Sequence, residues 1–558
     1  MWTSMTRWLL AGVSWVLTFA AHAQTVAVQG TVFSTTGAPV PYAAVSVEPL
    51  GIGTLTDSAG FYSLSNLQPG NYTITCSRID FAAQSQKAQL AGGQSIRLDF
   101  TLSPRVNALE AIQVNGQSVA EAVRSTGFAV DVLETKSLKS LPTDINTLLN
   151  TTAGIHIRET GGVGAGFQLS LNGLTGNQVR YFIDGMPMES FGSALTLNNF
   201  PVNLIDNIEV YKGVVPIHLG ADALGGAVNI TTAYHRQSFL DASYSVGSFN
   251  THIGSFHAQH HNGDHDYYLR VSSFFNYSDN TYRMDSVPVY DLALGNRQGV
   301  ISQQRFHNAY TSGMTTVKFG VYDKAWADHW SVGVIGALNH KQYQHPDNNI
   351  NRVFGHFHTA NRTLLATSTY EKEFGPLTLT GFLQGGWIEE RVVDTSNRRY
   401  NWAGDWIERA PSDPRGELFE RQSLFRLRDA VWRSNLGAQY NFSKQHAVSL
   451  HLTQHFLRRT GEDEVDAYNR SFHSPNTLQK SILGLAYTFQ SKDGRSEATL
   501  FAKQYGFRGR LVTQDYLNED VVNEPQFRFT GYGGAFTWQP LPRLQLKTSL
   551  EQTFRLPE

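Results

Sequence analysis

Ile183-Asp184-Gly185-Met186-Pro187, then Asn207-Ile208-Glu209-Val210-Tyr211-Lys212-Gly213, then Gly220-Ala221-Asp222-Ala223-Leu224-Gly225-Gly226-Ala227-Val228-Asn229-Ile230 form the stretch on which the fold turns. The run Val179–Ile183 is rich in β-branched and aromatic residues and stops at Asp-Gly, a turn dipeptide. The second run alternates and closes on Gly213. The third starts from paired glycines and ends in β-branched residues. Working upstream, Leu141-Pro142-Thr143-Asp144 announces a helix, with Asp144 as N-cap and Ile145–Leu149 as its apolar turn. A glycine-rich stretch, Gly161–Gly166, leads into a strand over Phe167–Leu171, and Asn172-Gly173 turns the chain. Gly164-x-Gly166 lacks the third glycine of a dinucleotide loop and the lysine of a P-loop. These elements predict an α+β domain over 117–236.

The three motifs, in that order and spacing, resemble the plug domain of TonB-dependent outer-membrane receptors. The resemblance implies that Asp184, Gly185, Pro187, Glu209, Lys212, Gly213, Gly225 and Gly226 are plug-motif residues. It also implies a glycine loop, with Gly162 and Gly164, facing the substrate. Residues 106–116 read as a linker. Its run Leu109, Glu110, Ala111, Ile112, Gln113 and Val114 lies where this family carries its TonB box. Ile112 and Val114 would project to one side of an extended segment, which can add as an edge strand to a partner's sheet. A plain linker strand is the other reading.

Residues 24–105 predict a small β-sandwich. Val26–Phe33, Ala43–Val47, Asn71–Cys76 and Ile96–Leu102 alternate and are separated by Gly, Pro and Asn turns. Over 26–102 the run resembles the carboxypeptidase-regulatory-like domain. Asp57, in Thr56-Asp57-x-x-Gly60, reads as a turn former, because no His or second carboxylate accompanies it.

Ahead of the sandwich, Arg7 precedes a predominantly apolar stretch of thirteen residues, Trp8–Ala20, and Ala21-His22-Ala23 supplies a small-x-small cleavage pattern. Thirteen residues fall short of the ~20 that a spanning helix needs. Residues 1–23 therefore predict a removable export signal. Composition agrees. The net charge is −2, charged residues make up 16% and there are 49 glycines. Charge balance gives no support for a nucleic-acid partner. The single cysteine, Cys76, excludes an internal disulfide and any CxxC zinc site. Mean hydropathy is slightly below zero, against a polytopic helical membrane protein but compatible with alternating barrel strands.

From 237 to 558 the pattern is strand, connection, strand. Val448, Leu450, Leu452 and Phe456 alternate with Ser449, His451, Thr453 and His455. One apolar and one polar face, in strands of ~10 residues, predict a transmembrane antiparallel β-barrel. Short turns such as Ser443-Lys444-Gln445 alternate with long connections near 277–308, 340–361, 389–430, 458–479 and 506–527. About 13 strands fit this length, whereas the resemblance implies 22. The expectation is an incomplete barrel, a chain that stops before closure. A naturally short barrel is the alternative.

No HExxH, GxSxG or paired-carboxylate motif is present, and neither an enzyme, a cofactor nor a resident metal is expected. His340, His345, His356 and His358 lie on a proposed extracellular loop and are candidate substrate contacts. What the resemblance implies is uptake across the outer membrane of a Gram-negative cell. A TonB–ExbB–ExbD-type inner-membrane complex would be the partner and the sandwich would be periplasmic. The expected substrate is a ferric siderophore. Cobalamin, haem or oligosaccharide uptake, or a surface signalling receptor, are the alternatives.

Overall fold

The computed structural model describes residues 26–78, 81–91, 95–103, 119–135, 144–197, 200–220, 222–232, 236–514, 519–541 and 544–557. The export signal and the 109–114 segment lie outside the described residues. The chain divides into two compact units.

The first unit is the sandwich. One sheet pairs Val26–Ser34 with Phe61–Leu67, Ile96–Arg97 and Phe100–Leu102. The other runs Ile52–Leu55, Ala44–Glu48, Gly70–Arg78, Phe81–Leu90. Alternation sends Val28, Val32, Val45, Val47, Ile74 and Phe100 into a dry core, each fully buried. The predicted strand 96–102 is broken in two at Leu98-Asp99. There, a side chain at Gly30 would come 1.8 Å from the Leu98 carbonyl oxygen. The Asp99 carboxylate also leaves the strand to accept from the Thr31 N–H at 2.7 Å. Asp57 is a turn former, accepting from the N–H groups of Ala59 and Phe61 at 2.9 and 2.8 Å.

The second unit holds the plug domain and the wall around it. Asp144 caps the helix Ile145–Asn150 by accepting from the Thr147 N–H at 2.6 Å. The plug sheet has the order Met186–Pro187, Val179–Ile183, Gly226–Thr232, Ile205–Lys212, Val130–Glu134. Val179–Ile183 and Gly226–Thr232 run parallel, and the other neighbours are antiparallel.

The wall is a 14-stranded sheet whose edge strands are Phe239–Gly247 and Leu544–Gln552. Its strands reach 19 residues, well past the expected ten. They continue above the bilayer, and the chain between them folds into small hairpins of its own. Arg283–Tyr290 pairs with Arg297–Gln304, and Arg398–Tyr400 pairs with Trp406–Glu408. Within the central wall strands one parity is the more buried and the other is exposed. In His358–Phe374, Asn361, Thr363 and Leu365 are buried while Arg362, Leu364 and Ala366 are exposed. The exposed parity carries large apolar residues, including Trp387, Leu450 and Leu500, as a lipid-facing surface must. Among the described residues, no helix is long and apolar enough to cross a membrane.

Candidate functional site

The quoted motifs form the framework of the plug. Asp184 and Gly185 both have positive φ, 50° and 75°, and close a two-residue hairpin between Ile183 and Met186. The Asp184 carboxylate then accepts from the N–H and the hydroxyl of Thr232, each at 2.8 Å. Pro187 ends the short return strand. Glu209 is buried and accepts from the Tyr211 hydroxyl and from Asn229 Nδ2, both at 3.0 Å. Burial, with Glu209 alongside, pushes the Tyr211 phenol far above its ordinary range. Lys212 pairs with Asp131 at 2.6 Å, and Gly213 turns with φ 101°. A Cβ on Gly225 would strike Leu174, and one on Gly226 would lie 2.1 Å from the Tyr211 carbonyl oxygen.

The plug meets the wall through an apolar cluster, Phe128, Phe182 and Ile217 against Ala486, Phe501 and Ala535, and through a set of polar contacts. Near the short turns, Lys547 donates to the carbonyls of Arg124 and Phe128 at 2.6 and 3.0 Å. Beside it Glu497 accepts from the Gly127 N–H at 3.1 Å. Deeper in, Lys503 is almost wholly buried, donates to the Val215 carbonyl at 3.0 Å and pairs with Glu551 at 2.8 Å. Asn435 donates to the His218 carbonyl at 2.7 Å. His218 is itself solvent-exposed within the seat, with His451 and Lys503 near it. The crowded surroundings first, and those neighbours second, lower its pKa. Higher up, Asn339 and Thr363 donate to the carbonyls of Ser193 and Phe191 at 2.5 and 2.8 Å.

At the centre of this interface lies a charged cluster. Arg180 places Nε and Nη2 at 2.9 and 2.7 Å from one oxygen of Asp222, and Nη1 at 3.0 Å from Glu189. Burial alone would raise the Asp222 pKa, but Arg180, and then Lys480, hold it below the usual carboxylate range. The second Asp222 oxygen accepts from the Leu556 N–H at 3.1 Å. Arg433, His455 and Lys480 of the wall face the same cavity of about 40 Å³, room for a few water molecules. Sequence reading missed this cluster. Its signals were present: Arg180 interrupts an apolar strand, and Asp222 sits inside the glycine motif.

Toward the long connections, the plug's glycine loop meets the wall. Asn280 Nδ2 donates to the Val163 carbonyl at 2.9 Å. A Cβ on Gly164 would enter the Tyr310 ring at 2.3 Å, and one on Gly162 would meet Asn280. Tyr282 reaches Gly161, and the Arg305 guanidinium lies 4.9 Å over the Tyr282 ring. Arg305 Nη2 is 3.0 Å from His345 Nε2, while His345 Nδ1 is 2.8 Å from the Pro346 carbonyl. A guanidinium can only donate, so Nε2 accepts and the proton is assigned to Nδ1. Burial, and then Arg305, lower the His345 pKa.

Gly162, Gly164 and His345 therefore gather around Asn280, Tyr282, Arg305 and Tyr310. His356 stands apart, its ring 5.8 Å from Tyr400. His340 and His358 do not join them. The wall strands extend to Gln342 and start again at His358, so neither residue is in a loop. Both take the outward parity, with ring centroids 4.8 Å apart. Among the described residues, no group of three or more His, Cys, Asp or Glu is arranged to hold a metal ion.

Comparison with known proteins adds the following. Residues 27–103 match the carboxypeptidase regulatory-like domain, and residues 122–227 match the TonB-dependent receptor plug domain. A relative in Vibrio vulnificus, the vitamin B12 transporter BtuB, is 31% identical over 146 residues, 26% of this chain and 22% of that protein. Among solved structures, the copper transporter OprC superposes with a TM-score of 0.55 at 12% identity, over 77% of this chain and 63% of its own. The Serratia marcescens hemophore receptor HasR, solved as a double mutant with its hemophore HasA and heme, gives 0.54 at 13%, over 78% and 64%. At such identities the likeness is one of fold. The chain spans less than two thirds of each of these relatives.

Proposed function

We propose that this chain, a TonB-dependent outer-membrane receptor by its plug and its fold, takes up a scarce solute through a gated plug. The observation that carries the proposal is the plug's seat. It is fastened by lysine, asparagine and carboxylate contacts to backbone groups, around the central Arg180–Asp222–Glu189 cluster. Polar contacts of this kind can exchange for water as they open, whereas a dry apolar interface cannot. Solute would bind at Arg305, Tyr282, His345 and the Gly161–Gly164 loop. A TonB–ExbB–ExbD-type complex would then pull on Leu109–Val114, drawing on the proton-motive force.

A guanidinium among aromatic rings suits an anionic chelate, so a ferric siderophore is the favoured substrate. The test is a deletion of 109–114 in the full-length receptor. Surface binding should persist while uptake falls to background. Unchanged uptake would remove the segment's role. A growth panel of ferric siderophores, haem, cobalamin and oligosaccharides identifies the substrate, and growth on a non-ferric member alone would overturn the siderophore assignment.

A further inference from the structure

His340 and His358 are left outside the solute site, and they meet each other instead. His340 stands across the ladder from Ala360, and His358 from Gln342. The two histidines are therefore diagonal neighbours on adjacent strands, an offset that long side chains can bridge. Their rings do bridge it, with centroids 4.8 Å apart and planes at 49°. Both share the outward parity of Leu338 and Arg362. His358 also stands opposite Val393, which lies beyond Trp387 on the next strand, toward the long connections. Trp387 is 67% exposed, as a ring at the membrane interface is. At ~3.3 Å per residue the pair lies about 20 Å further along the strand, in water.

The ring nitrogens are set for a cation. His358 Nδ1 lies 2.8 Å from the His356 carbonyl oxygen, which can only accept. The proton is therefore assigned to Nδ1, and the Nε2 lone pair is free to bind. Metal-bound histidines are oriented in this way, the second nitrogen donating to a carbonyl or carboxylate. The His340 ring has no hydrogen-bond partner among the described residues. Two imidazoles on one ion, each nitrogen ~2.0–2.1 Å from it, hold their ring centroids about 5 Å apart, close to the spacing here. Of the cations on this face, Arg391 is held by Glu389 at 2.8 Å. Arg362 lies on the far side of His340 from His358 and stands opposite Glu389.

We propose that His340 and His358 together bind a divalent transition-metal ion, with water filling its other positions. The donor set selects the ion. Two neutral imidazoles suit Zn2+, Ni2+ and Cu2+, whereas Mg2+ and Ca2+ need oxygen ligands. A soft ion such as Cu+ would want sulfur, and the chain's single thiol, Cys76, is buried in the sandwich. The protein supplies two ligands where a structural zinc site has four, so the ion is exchangeable rather than resident. The pair lies on the outward face, so the inference rests neither on the solute site nor on uptake.

The test is Zn2+ binding to the untagged full-length receptor in detergent, followed by isothermal titration calorimetry at neutral pH. The wild type should bind one Zn2+ more than His340→Gln/His358→Gln does, and each single variant should weaken that site at least about tenfold. Cu2+ should bind there more tightly than Zn2+, and Mg2+ should not displace either. His473→Gln, at an exposed histidine of another connection, is the control and should match the wild type. A second measurement needs no variant and holds even where the double variant fails to fold. Zn2+ should slow acylation of His340 and His358 by diethyl pyrocarbonate, read by peptide mass spectrometry, while His473 reacts as before. Equal Zn2+ stoichiometry in wild type and double variant, displacement by Mg2+, or unslowed acylation of either histidine would each overturn the proposal.

Discussion

The sandwich and the plug are both small β-rich bodies, yet they are held in opposite ways. The sandwich closes on itself. Its core is apolar, and its buried Thr56 hydroxyl is satisfied within the unit, donating to the Val40 carbonyl at 2.7 Å and accepting from the Ala43 N–H at 2.8 Å. The plug does not close on itself. Its cluster around Phe128, Phe182 and Ile217 is completed by Ala486, Phe501 and Ala535 of the wall. Its ion pairs, Arg180 with Asp222 and Glu189 and Lys212 with Asp131, close within the plug, while the wall's Arg433, His455 and Lys480 face the first of them. The sandwich keeps its contacts inside, and the plug has many of them at its boundary.

The sharpest way to break this comparison is Arg180→Ala. It leaves the buried Asp222 without its paired cation, a loss of about 3–5 kcal/mol. The expected outcome is fast hydrogen exchange over 179–183 and 226–232, with the sandwich unaffected. Cys76 reports on the sandwich separately. It is the chain's single cysteine, fully buried, with its thiol pushed up to about 12 by that burial. Thiol labelling should therefore stay slow in Arg180→Ala. Rapid labelling would show that the two bodies are not independent.

The converse is Phe100→Ala in the sandwich core, at about 3–5 kcal/mol by lost burial and a residual cavity. Cys76 should label rapidly while exchange in the plug stays slow. Acid offers a third and smaller contrast, because solvent screens the exposed His218 ring. The pKa of His218 lies lower in its seat, toward about 4, than in the free ring at about 6.5. Above pH 6.5 the ring is neutral either way and costs nothing. As pH falls from 6.5 toward 4, the unseated ring gains a proton that the seated ring refuses, so the seat weakens. Residues 26–102 contain no histidine. Exchange at 217–220 should therefore rise over that window while Cys76 labelling does not.

How far the sequence was legible follows the same division. Local rules gave the Asp144 cap, the Asp57 turn, the Asp184-Gly185 hairpin and the alternation of the wall, because each depends on neighbours in the chain. What stayed hidden depends on contacts between positions tens to hundreds of residues apart. Nothing local tells that Gly30 must approach Leu98, or that Lys547 reaches Phe128. His340 and His358 show the limit from the other side. Polar residues beside a long connection read as loop, but backbone pairing with the next strand carried them into the wall, where parity turned them outward.

Gly164→Ala tests the smallest and most local version of the comparison. Glycines of the plug loop are where the plug meets the wall. At φ 72° an alanine is strained, and its Cβ would overlap the Tyr310 ring. The cost is about 1–3 kcal/mol, relieved by lifting the loop away from Asn280 and Tyr310. Gly173, at φ 86° but with open space around it, is the matched control. An alanine there pays for backbone strain alone. If the glycine loop forms part of the solute site, Gly164→Ala should lower solute affinity several-fold while Gly173→Ala does not. Equal affinities would move the site off the plug and onto the wall's own Arg305, Tyr282 and His345.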